Sequence, residues 1–75
     1  MSESFIETLC QQLDLTLTMK TSLKTLPPNI HWHFKKGKEK GVLEITLFTG
    51  TGKVEFANKK NRGGEWIDEV VKKFG

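Results

Sequence analysis

Residues 42–57 carry the feature that most restricts the fold. Leu43, Ile45 and Leu47 alternate with Glu44 and Thr46, and Val54 and Phe56 alternate with Lys53 and Glu55. Successive side chains of a strand point to opposite faces, so each segment reads as a strand with one apolar and one wet face. Between them lies Thr49-Gly50-Thr51-Gly52. A two-residue loop at Gly50-Thr51 puts glycine first, as a type II′ turn requires. That loop opposes Ile45 to Phe56, Leu47 to Val54 and Thr46 to Glu55, so every apolar residue falls on one face. Residues 30–35 repeat the alternation, with Ile30, Trp32 and Phe34 opposed by His31, His33 and Lys35. The same rule pairs Trp32 with Ile45 and His33 with Glu44. Strands are therefore predicted at 30–35, 42–48 and 53–57.

Helical periodicity bounds this sheet at both ends. Ser4-Phe5-Ile6-Glu7 fits a capping box, and Ile6, Leu9, Cys10 and Leu13 follow at helical spacing, which predicts a helix from about Phe5 to Leu13. Trp66, Ile67, Val70, Val71 and Phe74 form the apolar stripe of a closing helix. Its acidic residues Glu65, Asp68 and Glu69 come first and Lys72 and Lys73 last, as the helix dipole favours. Residues 14–20 admit two readings. Leu15, Leu17 and Met19 alternate with Thr16, Thr18 and Lys20, which favours a strand; the rival reading extends the first helix through Leu17. Pro27-Pro28 ends either element. The expected fold is one α+β domain over residues 1–75. It has an N-terminal helix, an antiparallel meander of three or four strands and a C-terminal helix, with both helices on one face.

Composition narrows the function classes. Apolar residues make up 36% and charged residues 28% of the 75, which argues against disorder. A chain this short has room for one small core and little for a deep pocket. The single cysteine, Cys10, has no internal partner and reads as a small core side chain. Residues 1–13 lack a basic start, and no apolar run approaches the ~18 residues of a membrane span, so a cytoplasmic address is expected.

Net charge is +3, which permits polyanion binding without requiring it. In a meander, alternate connections share one end of the sheet. The turn after Phe34 brings Lys35, Lys36, Lys38 and Lys40, and the exit of the last strand brings Lys59, Lys60 and Arg62. Seven of the twelve basic residues are thereby expected at one edge, where they form the candidate contact for nucleic acid or another polyanion. The ordinary alternative is that these lysines keep the hairpin edge soluble. The element order, with a basic hairpin loop beside the start of the closing helix, resembles the double-stranded RNA-binding domain. Gly63-Gly64-Glu65-Trp66 stands where that family begins its closing helix with lysines, and no functional residue is carried over.

Other signals are weaker. His31 and His33 share the outer face with Glu44 and Glu55, a set able in principle to hold zinc, though histidine opposite glutamate is also an ordinary cross-strand pair. Gly50-Thr51-Gly52-Lys53 lacks the earlier glycine, the following Ser or Thr and the helix of a phosphate-binding loop. No nucleophile, base and orienting group converge, so no enzyme and no cofactor is expected. Trp32 and Trp66 read as core. A second reading is a protein-interaction or homodimerisation module that uses the open sheet face or a sheet edge, with His31, His33, Thr46, Phe48 and Glu55 in or near the contact.

Overall fold

The computed structural model describes residues 1–59 and 64–75. Helix α1 (Glu3–Gln12) is followed by strands β1 (Thr16–Leu23), β2 (Asn29–Lys35), β3 (Leu43–Phe48) and β4 (Lys53–Asn58), and helix α2 (Glu65–Phe74) closes the chain. The strands form one antiparallel sheet in the order β1-β2-β3-β4. Trp32, Phe34, Leu43, Ile45 and Leu47 from the sheet share one core with Ile6 and Cys10 of α1 and Trp66, Ile67 and Val70 of α2, so both helices cover the same face.

The first helix starts earlier than the capping box at Ser4 predicts. Ser2, in extended conformation, is the N-cap, and its hydroxyl accepts from the Phe5 N–H at 3.2 Å. This start brings Glu3 and Glu7 together on Lys20 of β1. The helix ends in a Schellman arrangement: Asp14 N–H donates to Gln11 C=O and Leu15 N–H to Cys10 C=O. Asp14 takes the left-handed conformation there, with φ 60. Leu15 is thereby buried, and residues beyond it become a strand rather than more helix.

The predicted pairings of the central strands hold. Trp32 opposes Ile45, His33 opposes Glu44, Ile45 opposes Phe56, Leu47 opposes Val54 and Thr46 opposes Glu55. The turn between β3 and β4 differs from the predicted type II′. Gly52 N–H and Thr51 N–H both reach Phe48 C=O, and Gly52 rather than Gly50 has positive φ, at 76. The loop therefore spans 49–52. The register survives because Phe48 still opposes Lys53.

Strand β1 corrects the expected alternation. Leu17 opposes Phe34, but the register shifts before Met19, which opposes His33. Thr18 is the extra residue, and its hydroxyl bonds His33 C=O at 3.1 Å. A bulge reverses the facing of everything beyond it. Leu17 thus shares the helix-covered face, while Met19, Thr21 and Leu23 lie on the open face with His33, His31 and Asn29. Lys20 turns inward opposite Trp32, its Nζ 5.9 Å from the ring centroid. There it pairs with Glu3 and Glu7, while Trp32 Nε1–H donates to Glu7 at 2.9 Å. The hydrogen bond from Lys20, then that from Trp32, holds the Glu7 carboxyl below its usual range.

Candidate functional site

The basic end grows out of the β2–β3 connection. Lys35 ends β2, and Lys36 opens a turn in which Glu39 N–H donates to Lys36 C=O at 2.9 Å. Gly41, with φ 100, then redirects the chain into β3. Two glycines let this turn approach the start of α2. A Cβ on Gly41 would lie 3.3 Å from Gly64 Cα and 3.2 Å from Ile67 Cδ1; one on Gly64 would lie 3.0 Å from Asn58 Nδ2. Trp66 Nε1–H donates to Lys40 C=O at 2.8 Å, and Lys59 N–H donates to Val42 C=O at 2.9 Å. Core packing of Trp66 and the exit of β4 therefore fasten the turn from two sides.

Lys35, Lys36, Lys38, Lys40 and Lys59 are all exposed. Of these, Lys59 has Nζ 3.8 Å from Glu44, and the other four have no carboxylate within 4.0 Å among the described residues. Elsewhere Lys20, Lys53 and Lys72 each have an acidic neighbour. Lys60 and Arg62 lie outside the described residues. Lys36 also borders a shallow hollow of about 100 Å³ shared with Leu13, Trp66, Glu69, Val70 and Lys73, which adds Lys73 of α2 to the neighbourhood of the turn. That proximity was missed in the sequence because the two lysines are joined only through packing of α2.

The histidines lie on the open face, half-buried. His33 Nε2–H donates to Glu44 at 2.9 Å, while Thr46 Oγ1 and His31 Nδ1 share a hydrogen bond of 3.1 Å. The bond from His33 and, after it, the charge of Lys59 hold the Glu44 carboxyl below its usual range against the effect of burial. Glu55 pairs with Lys53 at 3.8 Å. Of the four residues considered for zinc, His33 and Glu44 bond each other, His31 bonds Thr46 and Glu55 pairs with Lys53. Among the described residues, no group of three or more His, Cys, Asp and Glu is arranged to hold a metal. Cys10 is fully buried, and burial followed by the charge of Glu7 pushes its thiol up to about 12. Such a thiol is inert as a nucleophile near neutrality.

The open face carries more apolar surface than the sequence pattern implied. Met19 and Leu23 remain 37% and 38% exposed, and the bulge puts them on the face that also presents Phe48. At its corner, Pro27, Phe48, Gly50, Thr51, Lys53 and Glu55 line a hollow of about 280 Å³. Among the described residues no helix is long and apolar enough to cross a membrane. No family model, curated protein or solved structure matches the chain.

Proposed function

We propose that this protein is a small non-enzymatic binding module whose basic end contacts nucleic acid or another polyanion, with the cytoplasm as its expected location. One observation carries the reading. The lysine-rich turn of residues 36–41 is bonded both to the exit of β4, through Lys59 and Val42, and to the start of α2, through Trp66 and Lys40. A fastened turn in which Lys35, Lys36, Lys38 and Lys40 have no carboxylate within 4.0 Å among the described residues suits a phosphate backbone, because these four can displace its counterions without first breaking an ion pair of their own, whereas Lys59 would have to leave Glu44. Lys35, Lys36, Lys38, Lys40 and Lys59 are the contacts within the described residues, and Lys60 and Arg62 extend the set in the sequence.

Salt-titrated binding to short duplex and single-stranded oligonucleotides tests this. Weak binding that tolerates sequence and declines steeply with salt is expected. Replacing Lys36 and Lys38 by glutamine should lower the salt slope by about one per lysine. No binding at low salt, or an unchanged slope in the double variant, overturns the proposal.

A second reading is a protein-contact module that uses the open face or an edge of the sheet. The observation favouring it is the transfer of Met19 and Leu23 to the open face by the bulge at Thr18.

A further inference from the structure

We infer that β1 pairs antiparallel with β1 of a second copy about a two-fold axis at Thr21, which joins two sheets into one of eight strands. This deepens the protein-contact reading and is independent of the basic end.

β1 is a sheet edge, and all eight of its residues are exposed. Edge strands are commonly guarded by bulges or by charges that would be buried on pairing. β1 has both devices, yet in its second half they restrict the register of pairing rather than block it. The bulge lies at Thr18, before Met19–Leu23. The single charge of the strand, Lys20, is turned inward and already engaged by Glu3 and Glu7 of its own chain. The other edge differs, since β4 presents Lys53 and Glu55 in its open-face row.

Symmetry and charge then select the register. An antiparallel edge pair related by a two-fold axis keeps the helices of both copies on one side and opposes residues of like facing. Centring the axis on Lys20 would oppose two lysines. Centring it on Ser22 would oppose Lys20 to Lys24. Centring it on Met19 would draw the bulge into the pair. Centring it on Thr21 avoids all three. Met19 then lies opposite Leu23 of the second copy, Leu23 opposite its Met19, and Thr21 opposite Thr21. On the inner face Lys20 meets Ser22. The apolar row left exposed in one chain is the complement of itself, and such cross-strand pairs are what stabilise a sheet.

Sedimentation of the whole chain without nucleic acid, from micromolar to millimolar concentration, should show a monomer–dimer equilibrium. Thr21→Lys sets two ammonium groups face to face and should weaken the dimer about 100-fold or more. Lys53→Glu, on β4 at the opposite edge of the sheet, should leave it unchanged. Amide hydrogen exchange of the unmodified protein supplies a test that needs no variant: protection of residues 19–23 should rise with concentration while that of β4 does not. A monomer across the whole range overturns the inference, as does unchanged protection of β1. A dimer kept by Thr21→Lys but lost in Phe48→Asp overturns the edge pairing while sustaining the open face as the contact.

Discussion

β3 and β1 belong to one sheet, yet β3 is buried at four of its six positions and β1 is exposed at all eight. β3 lies between two strands and under the helices, so each of its side chains is checked by several neighbours. β1 has one neighbouring strand, and α1 reaches it through the Glu3 and Glu7 contacts with Lys20. Interior positions are therefore governed by apolar area and volume. The edge is governed by individual polar contacts, such as the bond from Thr18 to His33 C=O.

Truncating one apolar side chain on each strand should separate β3 from β1 most widely. Ile45→Ala, at a fully buried β3 position, should cost about 2–5 kcal/mol. Leu17→Ala, at a position 47% exposed, should cost about 1 kcal/mol. Urea midpoints measure both, and equal losses would show that β1 is packed as tightly as β3. A smaller effect is expected from the clamp that ties β1 to α1. Glu7→Gln should cost about 1 kcal/mol at neutral pH, since it removes the charged acceptor of Lys20 and Trp32.

The pH dependence sharpens the same contrast, because Glu7 serves the β1 side and Glu44 the centre. Both carboxyls are held below the usual 4.5, so their contribution is complete above that pH and is lost as the pH falls through the lowered folded values. Each single glutamine variant should flatten the acid side of a plot of urea midpoint against pH, and the double variant should flatten it most. The smallest effect is expected where the chain enters β1. Asp14→Gly relieves the left-handed residue and should stabilise by about 0.5–1 kcal/mol, read as a higher melting temperature.

The alternation of apolar side chains in 30–35, 42–48 and 53–57 made the central register legible, because a slip of one residue would bury Glu44 and expose Ile45. The stripe of α2 was legible for the same reason. Two turns were not. The β3–β4 loop keeps its register with either of two lengths, so residue pattern alone cannot choose which glycine takes positive φ. The first helix has serines at both 2 and 4. The bond from Phe5 N–H to the Ser2 hydroxyl identifies Ser2 as the N-cap, and the pattern of the chain does not choose between the two serines. At the basic end, the order of strands placed the 35–40 turn beside the exit of β4, and Lys59 N–H donates to Val42 C=O there. The bonds that hold this turn come from Trp66 and Lys59, residues remote in the chain.

An antiparallel sheet with a closing amphipathic helix follows from the residue pattern alone, since burial of a periodic apolar pattern has one economical solution. The facing of β1 follows instead from contacts made in the assembled fold. Residues 16–23 have weak apolar contrast, with threonine, serine and lysine between single leucines and methionine, so hydrophobic burial does not discriminate between their two faces. A local hydrogen bond to β2 and two carboxylates on α1 supply the difference, and both exist only once those elements are assembled.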